Sequence, residues 1–162
     1  MTINRASALD IFKSNSEILL PASRIKVSDA AEKYLKIARL GSSSKSWDAS
    51  ITPYMIEPMN KINSRKHNNI IFVGPSRTSK TFSLVIGGLT YIVVCNPGDT
   101  LIVQMTEKNA RDFSKDDLDK AIRNSPELRK RLSTFANDDN VFDKTFKNGM
   151  RVVLSGNLCI IS

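Results

Sequence analysis

At 162 residues the chain is long enough for one ordinary domain with a real core and short for a complete mechanoenzyme. A hydrophobic fraction of 41% beside 25% charged residues is that of a soluble globular protein, and no apolar run reaches the ~18 residues of a membrane span. Lys and Arg total 24 against 16 Asp and Glu, so the net charge is +8, dispersed along the chain; this fits a polyanionic partner and a merely solvated surface equally well.

Residues 1–27 show a weak apolar pattern around Ile11, Phe12, Ile18, Leu19 and Leu20, read as an arm or short helix before Pro21. Asp10, Lys13 and Glu17 stand where a secretory signal would be apolar, which points to a cytoplasmic protein. Ser28 to Leu40 is expected to be a helix, capped by Ser28, with Ala30, Tyr34, Ile37 and Ala38 on one face and Gly41 as its stop. The Ser-rich tract 41–46 reads as a flexible link. A short helix is expected from Pro53 to about Ile62, with Met55, Ile56, Met59 and Ile62 packing into a core. His67, the only histidine, follows Arg65-Lys66 in a solvated basic loop and is given no catalytic role. Cys95 and Cys159 lie in apolar surroundings without any Cys/His spacing for zinc, so core packing is their expected role.

Residues 68–73 form a short β-rich run, and directly after Ile70-Ile71-Phe72-Val73 comes Gly74-Pro75-Ser76-Arg77-Thr78-Ser79-Lys80-Thr81. This octet fits the phosphate-loop template G-x-x-x-x-G-K-S/T at Gly74, Lys80 and Thr81, with Ser79 where the second Gly usually stands. A triphosphate must be wrapped by donors without covalent contact, and a strand-to-helix loop does this with converging backbone amides and the helix N-terminus. Gly74, Pro75, Ser76, Thr78 and Ser79 would line the anion, Lys80 would reach the β- and γ-phosphates, and the Thr81 hydroxyl would ligate Mg²⁺. The bland alternative is a Gly-Pro-Ser turn before a polar helix start. A buried strand before and a helix after are the confirming context, and both are legible: residues 68–73 supply the strand and the apolar stretch from Thr81 to Val94, closed by Asn96-Pro97-Gly98, supplies the helix.

Thr100 to Met105 is a second strand run, and Thr106 opens a helix carrying Ala110, Phe113, Leu118 and Ile122, ended by Asn124-Ser125-Pro126. A short helix follows to Leu132. Residues 140–146 and 150–154 read as two strands joined at Lys147-Asn148-Gly149. Strands alternating with helices around a phosphate loop imply an α/β domain with a mainly parallel, P-loop NTPase-like sheet, incomplete here, after a helical N-terminal segment; the division is 1–46 for arm and helix and 47–162 for a partial ATPase domain. Phosphoryl transfer from such a loop usually needs a strand ending in an acid that organises Mg²⁺. No apolar run ends in Asp or Asp-Glu; Glu107, the nearest, is separated from its strand by Gln104, Met105 and Thr106.

The order of segments resembles the N-terminal ATPase part of the large terminase subunit of tailed bacteriophages, especially the GpA type. The resembling features are Ser28-Asp29-Ala30-Ala31-Glu32-Lys33-Tyr34, Trp47, Thr52-Pro53-Tyr54 leading to Glu57-Pro58-Met59, the phosphate loop with Ser76-Arg77 inside it, Ala110, Phe113-Ser114, Ser125-Pro126-Glu127-Leu128, and Asn148-Gly149 before a strand. The resemblance covers most of residues 25–157. It implies a motor that uses ATP and Mg to drive double-stranded viral DNA into a capsid in the host cytoplasm, with a terminase small subunit and a capsid portal as partners. It also implies that Arg77 contacts the γ-phosphate, where a guanidinium can neutralise charge on the leaving phosphate, and that Tyr54 stacks on adenine. An exposed Arg and a packing Tyr are the alternatives. The family's coupling motif and nuclease carboxylates are not in this sequence, whose ending suggests a truncated or prophage-derived piece. Whether the chain hydrolyses ATP is left open. A helicase-like remodelling ATPase and a non-catalytic prophage remnant are the competing functions.

Overall fold

A computed structural model describes residues 7, 9, 25–39, 42–134 and 139–156. The expected arm around Ile11 to Leu20 and Cys159 lie outside the described residues. Helix α1 (Val27–Tyr34) buries Val27, Ala30 and Ala31, and its first turn is pinned by the carboxamide oxygen of Asn60, which accepts from the Ser28 amide and hydroxyl at 3.1 Å each. Ser28 therefore sits inside the helix and binds across to another element; the N-cap residue is Lys26, without a side-chain cap.

The helix expected to continue to Leu40 stops at Tyr34. Lys36–Arg39 is a strand, β1, pairing antiparallel with Ser42–Ser46, β2, the tract expected to be a flexible link. The physical reason is that extended backbone finds partners here that a helix would not. The Lys36 amide donates to Ser125 Oγ at 2.9 Å, Lys36 Nζ to Ser46 Oγ at 2.5 Å, and the Trp47 amide to the Leu35 carbonyl at 3.1 Å. Tertiary hydrogen bonds outweigh a propensity worth only tenths of a kcal/mol per residue.

The 3₁₀ turn (Pro53–Met55) seats Met55 in the core and helix α2 (Ile56–Lys61) seats Met59, with Ile62 packed against them, as the spacing predicts; Ile56, expected on the same face, is half-buried outside that core. The central helix α3 begins in a π-helical stretch, Thr81–Gly87, and runs on through Gly88–Cys95. Most of its second half is buried, so it forms the spine of the core, and Cys95 packs there as expected. Gly87 lets α1 and α2 approach it closely: a Cβ there would come within 2.8 Å of Met59 Cε and 3.6 Å of Ala31 Cβ.

Strand β3 (Thr100–Val103) leads to the long helix α4, made of Glu107–Asp112, the π-helical Phe113–Leu118 and Asp119–Asn124. Thr106 caps it as expected, its hydroxyl accepting from the Asn109 amide at 3.1 Å. Ala110, Phe113, Leu118, Ala121 and Ile122 are buried on one face, while Arg111–Glu107 and Lys120–Asp116 pair on the other at 3.0 Å, each worth about 0.3–0.5 kcal/mol. Helix α5 (Pro126–Arg131) follows, and β4 (Asp143–Thr145) and β5 (Arg151–Ser155) close the fold as a hairpin with Gly149 at φ +83°.

The sheet runs β3-β5-β4, with β3 and β5 parallel and β4 and β5 antiparallel, so it is a small mixed sheet beside several helices. Lys144 on β4 ties the hairpin to α4: its side chain is 2% exposed, and its ammonium pairs with Asp119 and Asp139, both at 2.7 Å. The buried face carries Ile102, Val152 and Leu154, whereas Leu101, Val103 and Met105 on the other side are 64%, 49% and 75% exposed. Parallel strands are ordinarily covered on both faces, so this one is open.

The run 68–73, expected as the strand before the phosphate loop, joins neither sheet. Exposure alternates along it as in extended chain, with Ile71 at 89%, Phe72 half-buried against the core and Val73 at 90%, yet its amides and carbonyls bond to no other backbone group among the described residues. No described strand lies alongside to take the ladder bonds.

Candidate phosphate-binding site

The octet 74–81 lies where chain leaves this run and turns into α3. Two of its residues, Arg77 at φ +61° and Ser79 at φ +58°, sit in the left-handed region, and Lys80 follows in right-handed helical geometry. Alternation of left- and right-handed backbone turns successive N–H groups toward one side and makes a concavity for an anion. Among the described residues, none of the amides from Ser76 to Ser79 donates to a backbone carbonyl, so these donors are available to a ligand. Ser79 occupies the conformation that a second Gly would adopt without cost.

Lys80 reaches back over the loop. Its ammonium donates to the carbonyls of Gly74, at 3.0 Å, and Pro75, and lies 3.2 Å from Thr78 Oγ1, which itself donates to the Pro75 carbonyl at 2.9 Å. The cation thus holds both ends of the octet together beside the free amides. The Thr81 hydroxyl is exposed at the mouth of the helix and makes no hydrogen bond among the described residues. The Arg77 side chain is likewise exposed at the loop tip. The phenol of Tyr54 reaches the Thr78 carbonyl at 3.5 Å, the outer limit of a hydrogen bond, with its ring half exposed.

The base of the loop is anchored from below. The Ser83 amide donates to the Ser79 carbonyl at 2.8 Å, and Trp47 Nε1 donates to the buried Ser83 hydroxyl at 3.3 Å. A cleft of about 120 Å³ opens beside it, lined by Ile37, Lys45, Trp47, Asp48, Thr52 and Ser79. For scale, an apolar cavity of ~150 Å³ accepts a benzene ring. The Asp48 carboxyl is held below its ordinary range by hydrogen bonds from the Ser50 hydroxyl and amide, which keeps it anionic at the cleft mouth.

The structure therefore brings Gly74, Pro75, Ser76, Thr78, Ser79, Lys80 and Thr81 into one loop, with Arg77 at its tip and Tyr54 against its edge. Sequence reasoning missed the cleft and its Lys45 and Asp48, because they arrive on a hairpin that was expected to be a helix and a linker. Trp47 was the usable signal, a large buried ring just after the Ser-rich tract. Glu107 is the first residue of α4, exposed and paired with Arg111. Among the described residues no cluster of three His, Cys, Asp or Glu side chains could hold a metal ion. The donor set fits a Mg–triphosphate instead: free amides, a lysine and a helix-start hydroxyl address phosphate oxygens, and the metal would take one protein oxygen, from Thr81.

Residues 41–158 match the family model described as phage terminase large subunit gpA, ATPase domain. Searches of curated proteins and of solved structures found no match.

Proposed function

Because the chain belongs to the phage terminase large subunit gpA ATPase family, we propose that it is the nucleotide-binding part of a DNA-packaging motor, with ATP and Mg²⁺ held on residues 74–81. The observation that carries this reading is the loop itself: two left-handed residues, a row of unbonded amides and a lysine bridging the loop ends, all at the start of a buried helix. Bound Mg–ATP supplies a phosphoanhydride whose cleavage releases the energy for transport. The chain's own part is to grip and orient it. The amides of Ser76 to Ser79 take phosphate oxygens, Lys80 exchanges its loop carbonyls for the β- and γ-phosphates, and Thr81 offers its hydroxyl to the metal. Arg77 leans on the terminal phosphate from the loop tip, and Tyr54 lays its exposed face against adenine. Packaging also assigns the chain double-stranded DNA, a terminase small subunit and a capsid portal as partners in the host cytoplasm. No described helix is long and apolar enough to cross a membrane.

Calorimetry with Mg–ATP and Mg–ADP tests the reading. Loss of the Lys80 charge-assisted bonds, about 1.5–3 kcal/mol, should weaken binding of Lys80→Ala by about 10- to 150-fold. Equal affinities for the wild type and Lys80→Ala would sink it.

A further inference from the structure

Between Glu57 and Asp99 the chain carries Lys61, Arg65, Lys66, Arg77 and Lys80 and no acid at all. Lys80 and Arg77 belong to the phosphate loop. The other three gather at the end of α2, in a turn whose shape is fixed: the Ser64 amide donates to the Lys61 carbonyl at 2.8 Å and the Lys66 amide to Ser64 Oγ at 3.3 Å. Residues 65–70 are all exposed. Many cations elsewhere sit beside carboxylates, including Arg111, Lys120, Arg131, Lys144 and Arg151. Here only Lys61 has a carboxylate neighbour, Glu57 at a loose 3.8 Å, and the side chains of Arg65 and Lys66 have no partner among the described residues.

We propose that the turn 61–67 is a docking site for the phosphate backbone of duplex DNA, with Arg65 and Lys66 as its two principal contacts. The assignment of DNA as the polyanion rests on the packaging reading; the location rests on the turn. An ordered turn presenting two unpaired cations loses little entropy on binding and releases counterions from the duplex. Duplex is favoured over single strand because the turn offers no Phe, Tyr or Trp for bases to stack on, only the small ring of His67: Tyr54, at the phosphate loop, is the one markedly exposed residue of those three types among the described residues. The same stretch of chain runs on from His67 to Gly74, so the duplex contact and the nucleotide loop are the two ends of one segment.

The test is fluorescence anisotropy of the full chain with a labelled duplex at several salt concentrations, for wild type, Arg65→Ala/Lys66→Ala and a control, Lys108→Ala/Lys115→Ala, which removes the same charge from the acid-rich helix α4. Each phosphate contact contributes about 0.9 to the slope of log K against log salt, or about eightfold between 1 M and 0.1 M. The turn variant should lose about 1.8 of slope and about 60-fold in affinity at 0.1 M, with the control near wild type. Each single variant should lose half the slope, which serves if the double variant melts abnormally. The proposal is overturned by an unchanged slope in the turn variant, by an equal loss in the control, by no duplex binding in the wild type, or by a single strand bound as tightly. Mg–ATP affinity measured in parallel separates the two readings: it is unchanged in the turn variant if the nucleotide site is right, and its absence from the wild type refutes that site without touching the DNA result.

Discussion

Replacing Ser79 by Gly isolates the cost of holding a side chain at φ +58° in the phosphate loop. A non-glycine residue in the left-handed region costs about 1–2 kcal/mol, because its Cβ crowds the following carbonyl. Gly removes that cost but gains about 0.4–1 kcal/mol of unfolded-chain freedom. The Ser79 hydroxyl makes no hydrogen bond among the described residues, so nothing else is lost. The net expectation is stabilisation by about 0.5–1 kcal/mol, or a rise of about 1–4 °C in the midpoint of a chain this size. Thermal and urea denaturation followed by circular dichroism read it directly. Ser79→Ala is the partner measurement: it keeps the strained φ and should stay within about 0.5 kcal/mol of wild type. A Gly variant melting below wild type, or an Ala variant gaining as much as Gly, would refute the reasoning.

Lys144→Met leaves Asp119 and Asp139 converging on an apolar side chain. Since both acids keep some solvent, the loss should be about 2 kcal/mol, below the 3–5 of a fully buried broken pair, and a urea midpoint measures it. Gly156→Ala places a Cβ 2.1–2.5 Å from backbone atoms of Glu107 and Thr106, so strand and helix must part, at about 1–3 kcal/mol; Gly98→Ala, with nothing within 4 Å, should cost far less in the same titration. Burial, and then the neighbouring Asp116, raise the Asp117 carboxyl above its ordinary value. A raised acid contributes stability below its unfolded pKa and loses it as pH rises through the folded one, so Asp117→Asn should raise the urea midpoint at pH 7 and lose that gain below pH 3; a pH-independent difference would count against burial as the cause.

Where a residue's neighbours in sequence decide its structure, the chain was readable. Met55 and Met59 fell four apart on one face, Thr106 capped its helix, and Asn148-Gly149 turned its hairpin. The phosphate loop was visible for the same reason, since its donors are consecutive. Lys36 to Ser46 was not, because Ser125, the hydroxyl that takes the Lys36 amide, is far away in the chain and is supplied only by packing. The run from Ile70 to Val73 has the composition of a strand, but strandness requires a neighbour as well as a sequence. Lys45 and Asp48 joined the cleft only through that unforeseen hairpin.

The open side of β3 also governs how this chain behaves in a tube. Leu101, Val103 and Met105 expose an apolar face next to the outer edge of β3, the end strand of β3-β5-β4, and such an edge is where extended segments of other molecules add as strands. Self-association should therefore grow with protein concentration and with sulfate, which strengthens apolar burial, despite the +8 charge that keeps molecules apart in dilute, low-salt buffer. The workable solution range for every measurement above is set by that one uncovered strand.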